Sequence, residues 1–543
     1  MPVDRLRIWF DETFLDLLRQ MRWSFVPPLM VYFAAGISGL TAIVGTFFVK
    51  EYLGLSAAFL AALSFWAGLP WALKMPLGHL VDLIWRWKAL LVYIGAGLIA
   101  ASLLIMYALI EHTAAMRAVM SAEAWFVLSS LLAPTGYVIQ DTVADAMTVE
   151  AIPYFDEAGN PLSEDDTKAL HTTMQTLGRI ALISGLVFVA VLNIVMFEGV
   201  EALAQSQKAE IYARIYLIAL AIPLVSISGV VLSQFMLASR ARQMRRQGLD
   251  EHDIDRMVYA PGEATEPNWW IFGGGAAFVL LTLAIGLLDV PLAQEIVFVG
   301  SMTIVLVLIR QLVQKLSPEK ARMLVGTAII IFVFRAVPLP GAGQTWFEID
   351  RLGFDQQFLS VLSLIASILT LAGMVILRPL MANHSIAYIV VVLTVAATVL
   401  SLPNIGLYYG IQDWTARHTG GVVDARFIAV IDTTLESPLG QIAMIPMLAW
   451  IARNAPADLR ATFFAVMASF TNLALSASSL WTKYMNQIFV VTREVKNPAT
   501  GAVQVPEDYS QLGWLLITVA LIGVIAPLMT VALVQRSRLK TSD

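Results

Sequence analysis

The stretch from Trp125 to Glu150, WFVLSSLLAPTGYVIQDTVADAMTVE, is otherwise long and apolar enough to cross a bilayer, yet it closes on Asp141, Asp145 and Glu150. Spanning the hydrocarbon takes ~20 apolar residues. An ionised carboxylate inside costs at least ~2.5–3.5 kcal/mol on insertion scales, so it needs a partner or a watery cavity. Asp141 and Asp145 are four residues apart and share one helical face, one turn from each other. A helix end drifting into the interface would carry such acids at little cost. Ala144, Ala146, Met147 and Val149 keep the run apolar between them, however, which favours a charged face inside a carrier or channel.

The rest of the chain agrees with a membrane setting. Of its 543 residues 58% are hydrophobic and only 14% charged, with a mean hydropathy of +0.73. A soluble chain of this length exposes far more charge. The net charge of -5 is small and has no nucleic-acid signature. Cysteine is absent, which excludes disulfides, Cys-based metal sites and thiol chemistry. No phosphate-binding glycine loop, metal-ligand cluster or nucleophile constellation is present, so no enzymatic reaction, cofactor or metal is expected. Asp4, Asp11, Glu12 and Asp16 interrupt the N-terminus, which therefore does not read as a cleavable signal. Leu6, Trp9, Phe10, Phe14, Leu17, Leu18 and Met21 instead form one apolar stripe, predicting an amphipathic segment over 1–22.

Apolar segments of spanning length fall near 24–49, 55–83, 88–110, 122–149, 169–198 and 211–239. Two more lie near 269–289 and 291–313, and six near 323–341, 355–379, 385–409, 426–452, 459–490 and 511–535. The fold class expected is an all-α polytopic membrane protein with about 14 transmembrane helices. Lys and Arg concentrate in the loops that are cytoplasmic if the N-terminus is inside, as the positive-inside rule requires. Both termini are then cytoplasmic, in a cell inner (plasma) membrane. The layout of six, two and six spans predicts a six-helix bundle over 23–240, a cytoplasmic connector over 241–268, an inserted helical pair over 269–314 and a second six-helix bundle over 315–543. That is the plan of a major-facilitator carrier, whose binding site lies midway between the halves. Val491 to Val505 alternates apolar and polar residues around a turn and reads as a short hairpin.

Local motifs sharpen this. Pro70, Trp71, Lys74, Gly78 and Asp82 stand at the end of the second span; Asp141, Asp145, Ala146, Val149 and Glu150 end the fourth. Leu352-Gly353-Phe354, Met444-Ile445-Pro446, Ala461-Thr462-Phe463-Phe464-Ala465 and Asn472 follow in the second half. In this order the motifs resemble the folate-biopterin transporter family of the major facilitator superfamily. Met75 stands where that family has proline, Trp85 where the superfamily has a second glycine, and Ala151 where a basic residue is usual. Bacterial muropeptide permeases are similar in pattern, since Gln140-Asp141…Asp145-Ala146 fits them as well.

The charges then acquire expected roles. Lys74, Asp82, Glu150 and Arg179 are candidates, with Asp141 and Asp145, for an inner network that gates one end; permanent structural pairs are the alternative. Arg179 lies about ten residues into its span, ~15 Å from the start at 1.5 Å per residue. By analogy with the fold, Arg335 and the Asp432/Glu436 pair face substrate, as do Asp141 and Asp145. Arg335 could equally pair with Asp432 or Glu436 and hold two helices together. Arg335 or Lys483 could meet a folate carboxylate. The resemblance implies a secondary carrier of a small-molecule substrate of the folate or pterin class, with protons as a plausible coupling ion and the lipid bilayer as its other partner. The alternatives are a muropeptide or other small-solute permease of the same fold and, from another class, a non-transporting receptor or assembly factor.

Overall fold

The computed structural model describes residues 21–53, 55–72, 74–152, 164–254, 258–259, 269–287, 290–314, 316–376, 384–439, 460–496 and 503–541. The amphipathic stripe over 1–22, the tip of the hairpin and the Met444-Ile445-Pro446 motif lie outside these residues, or nearly so. Among the described residues eleven helices are long and apolar enough to cross a membrane. Ten of them belong to the spans expected from the sequence up to Tyr408, and the eleventh is Leu512–Arg536. Two further expected spans form helices of greater polarity, Pro318–Arg335 and Arg460–Ile488. The span near 426–452 is described as the helix Ala425–Glu436 and a turn to Leu439. The chain is an all-α polytopic membrane protein, with one two-stranded antiparallel hairpin, Val495–Lys496 against Val503–Val505.

Elements used below are α1 (Val26–Ile37), α2 (Ala42–Tyr52), α3 (Ala57–Ala72), α4 (Lys74–Leu83), α5 (Lys88–Glu111), α6 (Ala122–Glu150), α7 (Glu164–Met196), α8 (Gln205–Ala219) and α9 (Ala221–Arg246). The inserted pair is α10 (Trp269–Leu287) and α11 (Ala293–Val313). There follow α12 (Pro318–Arg335), α13 (Ala342–Asp350), α14 (Gln356–Ile376), α15 (Ile386–Tyr408), α16 (Ala425–Glu436), α17 (Arg460–Ile488) and α18 (Leu512–Arg536). The helices α9, α12 and α18 bring Arg245, Lys320 and Arg536 to one end of the molecule, called here the basic face. The opposite end is the far face.

Two departures from the expected spans have local causes. The first span is not one helix: a 3-10 turn over Ser38–Thr41 separates α1 from α2. The span near 323–341 does not reach residue 341. It ends at Arg335, because Pro338 and Pro340 cannot continue a helix and Gly341 takes φ of +78°, leading into the unforeseen short helix α13.

Packing follows the rule for lipid, where van der Waals contact between small residues replaces a hydrophobic drive. A Cβ on Gly36 would stand 2.0 Å from the Leu182 carbonyl oxygen, so α1 and α7 meet backbone to backbone. Gly95 of α5 and Gly136 of α6 are likewise face to face, each within 2.7 Å of the other's carbonyl if given a Cβ. The inserted pair seats on the seam between the second span and α17. Phe65 and Leu69 of α3, Val297 and Val305 of α11, and Phe470 and Leu473 of α17 share one core.

The glycine contacts generate a prediction. Gly36→Ala should lower the melting temperature measured on purified protein, in line with the ~1–3 kcal/mol typical of overpacking. Gly97→Ala, where a Cβ would meet nothing within 4 Å, should not. Equal behaviour of the two variants would refute the close approach of α1 and α7.

Candidate functional site

Near the basic face, the first, second and fourth spans converge on one lysine. Lys74 Nζ lies 2.5 Å from Asp141 Oδ2 and 2.7 Å from Asp145 Oδ2. Tyr32 Oη donates to Asp145 Oδ1 at 2.6 Å. The geometry has simple causes. Four-residue spacing stacks the two aspartates on one face of α6, and Lys74 of the second span stands opposite them. Gly78 of α4 lies beside Thr142 of α6, where a Cβ would meet the threonine methyl at an ordinary contact distance of 3.9 Å. One ammonium thus serves two carboxylates, and the trio carries one negative charge in excess.

The other expected members of this network are elsewhere. Glu150 pairs with Lys88 at 2.8 Å, both side chains almost wholly buried, and Lys88 also sits over the Trp85 ring at 4.3 Å. Lys88 was the partner missed by sequence reasoning. It opens the third span and reads as a flanking charge. Asp82 is exposed at the end of α4 and no ion pair joins it to Lys74. Arg179 is exposed on α7 and bonds to neither aspartate. The inner cluster is therefore Lys74, Asp141, Asp145 and Tyr32.

Toward the far face from this cluster lies a cavity of about 450 Å³. Its wall includes Ser38 and Thr41, at the break in the first span, Ser130 and Tyr137 of α6, Tyr216 of α8, and Trp346 of α13. Tyr137 is one turn from Asp141, ~6 Å along the helix. Where a spanning helix is interrupted, its freed backbone polar groups face a cavity rather than lipid. The second half of the chain reaches this cavity through Gly341, Ala342, Thr345 and Trp346.

The far face is closed by polar contacts between residues distant in sequence. Lys50, at the end of α2, pairs with Asp350, and Tyr509 Oη donates to the same carboxylate at 2.6 Å. Arg493 is buried. It donates to the Leu53 carbonyl and stacks on Trp346 at 4.8 Å. Gln356 Nε2 donates to Tyr212 Oη at 2.9 Å, again joining the two halves of the chain. None of these residues stood out in the sequence, because each partner is far along the chain and each reads alone as an ordinary end-of-span residue.

The candidates of the second half are dispersed. Asp432 is buried; one oxygen accepts from Asn404 Nδ2 at 3.0 Å, and the other has no hydrogen-bond partner. Glu436, one turn on, is exposed. Arg335 forms no ion pair among the described residues, so the expected strut to Asp432 or Glu436 is absent from this conformation. Lys483 faces the inserted pair: its ammonium lies 2.9 Å from Glu295, which also accepts from Tyr484. Its charge is already met there.

Residues 293–542 match the BT1 family. Over 472 residues the chain is 22% identical to a protein of Synechocystis sp. described as a folate-biopterin transporter, covering 83% of this chain and 72% of that one. Among solved structures it is similar to a POT family transporter in complex with 5-aminolevulinic acid. That likeness has a TM-score of 0.61 and 12% identity, over 95% of this chain and 96% of the other. A nucleoside transporter gives a TM-score of 0.56 at 12% identity, over 94% and 98%. At such identities the structures establish the fold, a major-facilitator-type arrangement, and nothing finer.

Two predictions follow the charges. Asp141→Asn and Asp145→Asn should each reduce solute flux at least tenfold at normal expression, whereas Glu150→Gln should chiefly lower the melting temperature; wild-type flux in both aspartate variants would make the cluster structural only. Glu295→Leu should destabilise the protein by leaving the Lys483 ammonium without its carboxylate, and Glu295→Leu with Lys483→Met should recover most of the loss, since replacing both partners of a shielded pair is better tolerated than replacing one. Additive destabilisation in thermal melts would deny the pair.

Proposed function

We propose that this chain, an integral membrane transporter of the folate-biopterin transporter family, is a secondary active carrier of a small organic solute of the folate or pterin class, working by alternating access in a cell inner membrane. The cavity between the Lys74 cluster and the far-face contacts carries this reading. It has the size of a small-molecule site, for which ~300–1,000 Å³ is usual. It is bordered by both halves of the chain and has a polar cluster at one end and a cross-chain closure at the other, which is what exposure to alternate sides requires. The name of the Synechocystis relative supports the substrate class.

Protons are the proposed coupling ion. Lys74 balances one of its two aspartates, so the other either binds a proton or holds an uncompensated charge in a weakly solvating setting. For the tail of a folate, Arg335 is the proposed contact, because a planar guanidinium receives a carboxylate bidentately and no ion pair occupies it among the described residues. Asp432, with Glu436 one turn on, is proposed to lie on the same path.

Uptake into proteoliposomes of purified protein, with a panel of folates, pterins and muropeptides and with or without an inward proton gradient, tests the reading. Accumulation of a pterin or folate that collapses with a protonophore is the expected result. Uptake of muropeptides alone would replace the substrate class, and no uptake of any solute would favour a receptor or assembly role. Arg335→Gln should weaken folate selectively; equal loss for folate and for a pterin without the glutamate tail would remove that contact. Orientation is tested separately in this cysteine-free chain. A cysteine introduced at Thr500 should label only from outside and one at Arg245 only from the cytoplasm; the reverse pattern would invert the topology.

A further inference from the structure

Among the described residues the cavity wall contains aromatic rings, hydroxyls and aliphatic groups, and no Asp, Glu, Lys, Arg or His. Lys74 is engaged by two aspartates, and Arg493 lies behind the Trp346 ring, donating through one nitrogen to the Leu53 carbonyl while its Nε and Nη1 have no hydrogen-bond partner among the described residues. An ionised group entering this space would leave water without a counter-charge on the wall itself, and that is costly at membrane depth. A flat neutral ring meets the opposite situation. Tyr137, Tyr216 and Trp346 line it with aromatic rings, and Ser38, Thr41 and Ser130 line it with hydroxyl-bearing side chains that can match a ring's donors and acceptors. The 3-10 turn over Ser38–Thr41 adds interrupted helical backbone to the same wall.

The geometry points to this cavity as a subsite for an uncharged planar heteroaromatic ring, with any carboxylated tail held outside it. The inference rests on the transport reading above and narrows it. The carrier selects its solute by the neutrality of the ring, and a folate is accepted because its carboxylates lie at the far end of the molecule from its ring. A carboxylate attached directly to the ring is excluded, since it must enter the uncharged space.

Matched probes test this on the full chain in nanodiscs, by titration calorimetry. Pterin should bind at least tenfold more tightly than pterin-6-carboxylate. Ser130→Lys, which places a cation in the wall, should narrow or reverse that preference. Ala133→Phe should abolish binding of both, and the milder Gly45→Ala, whose Cβ would meet only the Tyr216 hydroxyl at 3.8 Å, should weaken pterin several-fold without unfolding the protein. Equal affinity of the wild-type protein for the two pteridines would overturn the inference, as would unchanged pterin binding in both filling variants. If neither pteridine binds, the substrate class fails on its own. A tenfold preference for nicotinamide over nicotinate would then still uphold the charge rule, and no preference or no binding in that pair would overturn it.

Discussion

A single ammonium between two carboxylates governs how the first, second and fourth spans can move. Lys74 Nζ lies within 2.7 Å of both Asp141 and Asp145, and Tyr32 completes the shell of Asp145 from the first span. In water such a group would be worth little, because solvent screens it. At membrane depth, separating the lysine from both acids would strand three charges, so the spans move together unless a proton or another cation takes its place. The excess negative charge makes this cluster sensitive to what occupies its neighbourhood, and the cavity begins one helical turn away at Tyr137.

Two kinds of contact divide the work of holding the molecule together. Within the first half, glycine backbones meet directly, Gly36 against Leu182 and Gly95 against Gly136, with no side chain that could rotate to release them. Between the halves at the far face the contacts are side-chain ones: Lys50 with Asp350, Arg493 with the Leu53 carbonyl, Gln356 with Tyr212. Each of these groups can exchange its protein partner for water. Close backbone packing inside a bundle and exchangeable polar contacts between bundles is the combination that lets rigid bodies rock about a site.

The sequence disclosed the elements better than their partners. Helical spans are written locally in apolar length, and the Lys74–Asp141–Asp145 grouping was legible because four-residue spacing fixes the aspartates and an intramembrane lysine demands an acid. Glu150 looked like a third member of that grouping, but Lys88 at the start of the next span was nearer to it. The alternative pairing of Arg335 with Asp432 or Glu436 is not made among the described residues, and the Lys50–Asp350 and Arg493 contacts were not foreseen, for one reason. Which of many charges meet across hundreds of residues depends on how helices rotate and tilt, and no local pattern records that. At the break in the first span two roles sit side by side: Gly36 packs closely on α7, while Ser38, two residues on, lines the cavity.

The inserted pair shows how much a neutral-looking element can constrain. Its two connecting residues sit side by side: Gln294 donates to the Ala62 carbonyl of α3, and Glu295 binds Lys483 and Tyr484 of α17. Further along, a Cβ on Gly275 would stand 2.6 Å from Pro76, and the Phe272 ring lies 4.9 Å from that of His79, so α10 follows α4 toward the basic face. The pair thus holds the second span at Gln294, Gly275 and Phe272, and holds α17 both through the Glu295 cluster and through the apolar core that Val297 and Val305 share with Phe470 and Leu473. A shift of the second span against α17 must therefore shear packed apolar surface on one side of the pair or the other, where every packed atom contributes, as well as the charged cluster. The inserted pair acts as a clamp on the seam between the two halves rather than as a part of either.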